Sequence, residues 1–291
     1  MTTISKKQKE VLTKAKKQKT YTYEEVLESA VAYFNGDELA GTTWMNKYAM
    51  KDYDGEFVEK NPDDMHKRMA KEFGRIEADY KLKYNLNGSA KFLSKYGRER
   101  EDLTEDKVYD YFKKFGYIIP QGSVMSSLGN HYKLASLSNC IVVPELHDSY
   151  GGVFYTDQQL AQLFKRRCGV GVDISNLRPS GASVSNAAGS TSGAVSFMNR
   201  FSNTTREVAQ NGRRGALMLS MDIAHPDVED FITIKQDLQK VTGANISIRL
   251  SDEFMKAVES NSEYTHKWPI DSNTPKFTKT VNAKELWDTI I

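Results

Sequence analysis

Cys140 sits in the run Ser138-Asn139-Cys140-Ile141-Val142-Val143-Pro144, where a thiol among polar residues opens a short apolar stretch. A cysteine in that position is either an inert packed thiol or, as the thiolate, a redox group or nucleophile. No histidine is near it in sequence, no CxxC occurs, and the only other cysteine is Cys168. Asp148-Ser149 follows soon after. A carboxylate accepts two hydroxyl bonds from a sugar, as in dinucleotide sites, or the pair caps a helix. Arg178, in Asn176-Leu177-Arg178-Pro179-Ser180-Gly181, offers a guanidinium matched to phosphate. Arg213-Arg214, between Gly212 and Gly215, has the same logic or forms a salt-bridged surface pair. Gly169-Val170-Gly171 is not a GxGxxG and precedes its strand, so a Rossmann site is a poor reading. His66 has no second ligand at a metal spacing, which predicts a surface or boundary histidine and no metal site.

The elements that must position these groups change character along the chain. Residues 1–20 carry seven lysines against Glu10, the pattern of a solvated basic arm. Residues 21–115 read as helices. Thr22 caps a run with Val26, Ala30 and Phe34 at helical spacing, Pro62 opens a second helix with Met65, Met69 and Phe73, and Thr104 opens a third. Residues 116–130 read as linker and loop. Beyond them, short apolar runs at 141–143, 170–174, 217–221 and 246–250 alternate with helical patterns, the signature of α/β folding. Thr156-Asp157-Gln158-Gln159 reads as a capping-box start, residues 235–243 as a polar loop and residues 260–280 as irregular. The predicted organisation is an arm (1–20), a helical domain (21–115) and an α/β domain (116–291).

Composition sets the limits. Of 291 residues, 39% are hydrophobic and 27% charged, with mean hydropathy −0.57, values of a chain with a sizeable core and a polar surface. A net charge of +2 implies no nucleic-acid partner. No apolar run is long enough to span a membrane, and no secretory signal opens the chain. Two cysteines argue against a disulfide scaffold and for a reducing compartment, with cytoplasm expected.

Residues 116–255 resemble the catalytic (large) subunit of ribonucleotide reductase. The blocks that carry the resemblance are SLSNCIVVP, HDS, KRRCGVGVDISNLRPSGA, TSGAVSFMNRFSNTT, QNGRRGALMLSMDIAHPDVEDFITIK and GANISIRLSDEFM, in order. GVGVDISNLRP, the paired arginines and HPDVEDFI look most like the adenosylcobalamin-dependent class, with the class that uses a metal-radical small subunit as alternative. The resemblance implies an N-terminal helical domain followed by the first half of a ten-stranded α/β barrel. It implies that Cys140 is one of two redox thiols that end as a disulfide. The partner thiol would come from a later strand and not from Cys168, whose slot is usually Gly or Ala in the family. Ser123, Ser138, Asn139 and Gly169 are implied substrate contacts. The family's SPTL-like phosphate segment reads Gln121-Gly122-Ser123-Val124-Met125 here. Asp148, Ser149, Tyr150, Lys165, Arg178, Gln236 and Asn245 are implied contacts of a dNTP or ATP effector, and 183–191 and 236–245 correspond to two specificity loops. Helices at 157–167 and 193–209 are implied to pair across a homodimer axis. No ATP-cone pattern is visible, so on/off control by ATP and dATP is not expected. The family's radical cysteine and second half-barrel have no counterpart before Ile291. The resemblance therefore implies a C-terminal companion chain for activity, with a thioredoxin-like or other dithiol reductant. The alternative function is a non-catalytic dNTP-sensing dimerisation module.

Overall fold

The computed structural model describes residues 19–86, 93–208 and 215–291. The basic arm up to residue 18 and the Arg213-Arg214 pair lie outside the described residues. Contacts divide the chain into two units, one ending at Leu137 and one spanning Ser138–Ile291.

The first unit is helical among its described residues: α1 (Tyr23–Tyr33), α2 (Glu38–Lys47), α3 (Pro62–Leu86), α4 (Lys95–Glu99), α5 (Glu105–Phe112) and α6 (Gly122–Ser127). Thr22 and Glu25 form a reciprocal capping box at α1, Asp37 caps α2 and Thr104 caps α5. Val26, Ala30, Trp44, Met65, Met69 and Phe112 build its core. Met125 and Leu128 belong to that core as well, so the segment expected to be linker carries α6, and the unit boundary falls after Leu137 rather than at 115/116. Arg68 fastens α6: its Nε donates to Glu59 Oε1 (2.6 Å), its Nη2 to Met125 O (2.7 Å) and its Nη1 to Leu128 O. His66 is not at the surface. It is fully buried against Phe112 and Phe115, and burial lowers its pKa to about 4.

The second unit is a βα-type sheet. Four parallel strands lie in the order β1 (Cys140–Val142), β2 (Gly169–Asp173), β3 (Leu217–Asp222), β4 (Asn245–Arg249). Helices α7 (Tyr150–Phe164), α8 (Met198–Glu207) and α9 (Val228–Thr233) connect them. α7 begins at Ser149, whose Oγ accepts from Gly152 N (3.0 Å), not at the Thr156 capping pattern. Val170, Val172, Leu217, Leu219 and Met221 alternate to one face and belong to one buried cluster with Leu160 and Phe164 of α7 and Met198 and Phe201 of α8. Each such fully buried side chain contributes about 1.5–3 kcal/mol of transfer free energy.

The opposite face holds Cys140, Val142, Gly171, Asp173, Met218, Ser220, Asp222, Asn245, Ser247 and Arg249, as the register requires. Parallel sheets are ordinarily covered on both faces. Here Val142 is 79% exposed and Met218 40%, so this face stands open to solvent. α10 (Asp252–Glu259), capped by Ser251, follows β4. Residues 260–280 are not irregular. They form most of an antiparallel hairpin, β5 (Glu263–Trp268) with β6 (Phe277–Asn282), leading into α11 (Ala283–Ile290). Tyr264 and His266 point inward and Glu263 and Thr265 outward, and Lys267 N donates to Ala224 O (2.7 Å). Among the described residues no helix is long and apolar enough to cross a membrane.

Candidate functional site

Cys140 is the first residue of β1, exposed, on the open face of the sheet. Its register partner is Gly169, whose N–H donates to Asn139 O (2.6 Å). A Cβ at Gly169 would stand 3.3 Å from both Cys140 Sγ and Asn139 O, so the glycine leaves room beside the sulfur. Ser138 is exposed and Asn139 half-buried just ahead of the thiol. Cys168 precedes Gly169 and therefore turns to the other face, where it is fully buried and its Sγ contacts Gly169 O (3.2 Å). Two thiols on opposite faces of a sheet do not meet the geometry of a disulfide. Ser123 lies in α6 of the first unit and is buried.

A second constellation stands past the carboxyl ends of β1 and β2, where ligands of open α/β sheets bind. A cavity of about 210 Å³ is lined by Asp148, Ser149, Tyr150, Arg178, Asn186 and Thr191, among others. Arg178 organises it. Its backbone N–H donates to Asp148 Oδ1 (3.1 Å), its Nε to Asp148 Oδ2 (2.8 Å) and its Nη1 to Ser183 O (2.9 Å). Ser149 Oγ lies 2.9 Å from His147 Nδ1 as well as capping α7, and the Tyr150 ring meets Phe197 edge-on. The far wall is the hairpin loop 181–193, bridged at Ser183 and Ser190.

The remaining residues expected at an effector site do not line this cavity. Lys165 is the C-cap of α7, about 22 Å along the helix from Tyr150 at 1.5 Å per residue, and exposed. Gln236 closes a 3-10 turn, Ile234–Gln236, and is exposed. Asn245 opens β4 and lines a separate cleft of about 230 Å³ with Thr205, Arg206, Thr242 and Gly243, at the amino edge of the sheet. Lys235 Nζ donates to Val241 O (2.5 Å) and Ala244 O (2.6 Å) and holds the segment between them, and burial lowers its pKa. A third groove runs over α7 and α8, where Asp157 accepts from Arg200 Nη2 (2.7 Å) and from Thr204 Oγ1, and the Arg200 guanidinium lies 4.4 Å from the Phe154 ring centroid. Among the described residues no group of three or more His, Cys, Asp or Glu is placed to hold a metal.

Sequence reasoning missed the support of the cavity. His225 and Asp227 stand in the sequence only as part of the HPDVEDFI block, yet both are buried and bond to the backbone around Leu177, Ser180 and Ala194. The usable signal was the pairing of two polar residues around a proline inside an apolar segment.

A parallel α/β sheet with an exposed thiol at its amino edge and a cavity lined by Asp148, Ser149 and Arg178 past its carboxyl edge is what the fold and the site define. The family model for the ribonucleotide reductase barrel domain matches residues 138–291. The chain is 32% identical over 284 residues to the vitamin B12-dependent ribonucleoside-diphosphate reductase of Thermoplasma acidophilum, a match that covers 84% of this chain and 36% of that protein. It is 36% identical over 159 residues to the protein of the same description from Mycobacterium tuberculosis H37Rv (54% and 22%). It is 28% identical over 199 residues to the ribonucleoside-diphosphate reductase large subunit of Trypanosoma brucei brucei (66% and 23%). The chain belongs to the ribonucleotide reductase large-subunit family. It spans between about a fifth and about a third of the length of these relatives.

Proposed function

We propose that the chain supplies the thiol-bearing and effector-binding part of a ribonucleotide reductase acting on ribonucleoside diphosphates. The observation that carries this reading is the placement of Cys140, an exposed thiol on the open polar face of the sheet with Gly169 beside it. In the proposed reaction Cys140 and a second thiol are oxidised to a disulfide, the ribose C2′–O bond breaks and a C2′–H bond forms, and of the two thiol hydrogens one goes to C2′ and the other leaves with the oxygen as water. A dithiol reductant of the thioredoxin kind restores the pair. Ser138, Asn139 and Gly169 would contact the substrate beside the sulfur.

The open face, with Val142 and Met218 exposed, calls for further polypeptide over the thiol, and we place the second thiol and the rest of the barrel there, on a companion chain. The relatives' names favour adenosylcobalamin, with a metal-radical small subunit as the alternative. The fit of this chain to that cofactor rests on the uncovered face that Cys140 shares with Val142 and Met218. Bound adenosylcobalamin would supply the initiating radical, and this chain would supply the reducing thiol and hold the ribose.

The cavity at Asp148, Ser149, Tyr150 and Arg178 is proposed to take a dNTP or ATP effector, with Asp148 on the ribose and Arg178 turned to the phosphates. Tyr150, Phe154 and Tyr155 stand exposed along α7 beside Arg200 of α8, a surface suited to a homodimer through these two helices. A second reading, a dNTP-sensing dimerisation module without catalysis, is favoured by one observation: the cavity is walled within this chain, whereas the thiol face is not. The experiment mixes the chain with a polypeptide carrying the remaining barrel, adenosylcobalamin and dithiothreitol, and measures deoxynucleotide formed. Multiple turnovers that Cys140→Ser abolishes support the enzyme. Effector binding without any product supports the sensor.

A further inference from the structure

We propose that Asp227 is a positioning residue for the cavity at Asp148 and Arg178, a single carboxylate that anchors both ends of the loop forming its far wall. The inference rests on reading that cavity as an effector site and adds what sets its selectivity. Ser180 N donates to Asp227 Oδ1 (3.0 Å) and Oδ2 (3.1 Å), and Ala194 N donates to Oδ2 (3.0 Å). Between these two anchor points run residues 181–193, of which Val184, Ser185, Asn186, Ser190 and Thr191 line the cavity. Asp227 is buried, so these charge-assisted bonds are shielded from competing water.

The loop's own bonds fix its shape but not its place. Gly181 N donates to Thr191 O (3.0 Å), Thr191 N to Ala182 O (2.9 Å) and Val184 N to Gly189 O (3.0 Å). Outside the hairpin, Arg178 Nη1 tethers it at the single point Ser183 O (2.9 Å), which leaves it free to turn about its base. Asp227 removes that freedom by gripping the base on both sides. The grip is close: Gly193 has φ +87°, and a Cβ there would stand 2.5 Å from Asp227 Oδ2 and 2.7 Å from Ser180 N. His225 completes the support. Its Nδ1 accepts from Asp227 N (3.0 Å), so Nε2 carries the proton and donates to Leu177 O (2.8 Å), next to Arg178. Burial pushes the His225 pKa down and keeps this neutral form. One short segment thus holds Leu177, Ser180 and Ala194 in register around the cavity.

Asp227 also directly precedes α9, which leads into the Ile234–Gln236 turn and the segment tied back to α8 by Val241 N to Asn199 Oδ1 (3.3 Å) and Gly243 N to Ser202 Oγ (2.9 Å). A ligand that moves the 181–193 loop pulls on the head of this element.

The test uses the whole chain with Asp227→Asn, which keeps the shape but turns an NH2 donor toward a backbone N–H donor. A second variant, Gly193→Ala, attacks the same grip from the other side and decides the matter where the first fails to fold. Amide hydrogen exchange at Ser180 and Ala194 is expected to speed up at least tenfold, on the order of one lost charge-assisted bond, while amides of β2 and β3 stay protected. Titration calorimetry with dATP and with dTTP is expected to show weaker binding and a changed ratio of the two affinities. A merely structural loss lowers both in proportion and leaves the ratio intact. Unchanged exchange at Ser180 and Ala194 in the folded variants, or weaker binding at constant ratio, overturns the proposal. Failure of the unaltered chain to bind either nucleotide overturns the effector reading, and the exchange rates then judge the clamp by themselves.

Discussion

Arg178 is expected to act in the cavity as a fork and not as a point charge, and substitution separates the two. Its backbone N–H and Nε engage both oxygens of Asp148 while Nη1 reaches Ser183 O. Both side chains are about a quarter to a third exposed, which weakens the pair relative to a buried one. A charge-assisted hydrogen bond contributes about 1.5–3 kcal/mol when shielded, and partial exposure brings each of the two side-chain bonds to about 0.5–1 kcal/mol. Arg178→Ala therefore removes about 1–2 kcal/mol that holds the cavity wall in place, and a nucleotide that needs the wall so placed loses up to that much, roughly fivefold to thirtyfold in Kd. Arg178→Lys keeps the charge but cannot make the Nε and Nη1 bonds together, so its Kd stays within about threefold of the alanine variant. Asp148→Ala and the double variant complete a cycle, with a coupling of about 1 kcal/mol expected between two contacting groups. Titration calorimetry at 0.05 and 0.5 M salt reads all four proteins. Full recovery by lysine at low salt, lost at high salt, would show a screened point charge and refute the reasoning. Strict additivity of Asp148→Ala and Arg178→Ala would refute it too.

Thiol labelling of the native chain with Ellman's reagent should modify one cysteine quickly, with the second reacting only in urea; Cys140→Ser removes the fast phase because Cys168 is fully buried. His266 is fully buried with neither ring nitrogen hydrogen-bonded, and burial lowers its pKa to about 4. The unfolded chain takes up that proton near pH 6.5, so the stability of the second unit is complete above that pH and falls by about 1.4 kcal/mol per unit as pH drops toward 4; His266→Phe should flatten this loss in acid-melting curves. Arg68→Met leaves Glu59 buried without its cation and should cost the first unit about 3–5 kcal/mol in urea unfolding followed by Trp44 fluorescence, with Glu59→Gln in the same chain restoring part of it.

The parallel strands were legible because each puts one apolar face on helices. Val170, Val172 and Ile174 announce β2 by alternation, and the open opposite face keeps that alternation visible where a doubly covered strand would read as a continuous apolar run. The hairpin at 263–282 was missed for a related reason. Its inward residues are Tyr264 and His266, and a histidine counts as polar until it is found buried. The same substitution of polarity for position put His66 at the surface or boundary, although it is fully buried. Helix α6 was hidden by Pro120 and Gly122, which break helices inside but tolerate a start. The start of α7 was displaced because Gly151-Gly152 carries low helix propensity that packing of Val153 and Leu160 overrides. Lys165 shows the limit of linear reasoning about a site. It lies near Asp148 in the chain, but a rigid helix separates the two by its whole length.

The sheet itself explains why the proposed chemistry needs an intermediary. Parallel strands send every amino end to one edge and every carboxyl end to the other. Cys140, Gly169 and Asn245 stand at the first edge, Asp148 and Arg178 beyond the second. A ligand among Asp148, Arg178 and the 181–193 loop therefore does not touch a ribose at Cys140, and β2, which runs between the two edges, is hydrogen-bonded on both sides. The connection from β3 to β4 is different. It leaves the carboxyl edge at Asp227, crosses by α9 and returns to the amino edge at Asn245; Val241 N, Gly243 N and Thr242 Oγ1 each make one bond to α8, and Lys235 Nζ ties the segment to itself at Val241 O and Ala244 O. Those bonds break and re-form at about 1 kcal/mol each, cheaply enough for a bound nucleotide to bias them. Selection of substrate by effector is thus expected to run through 227–245, and substitutions there should alter which ribonucleotide is preferred without altering the reactivity of the Cys140 thiol.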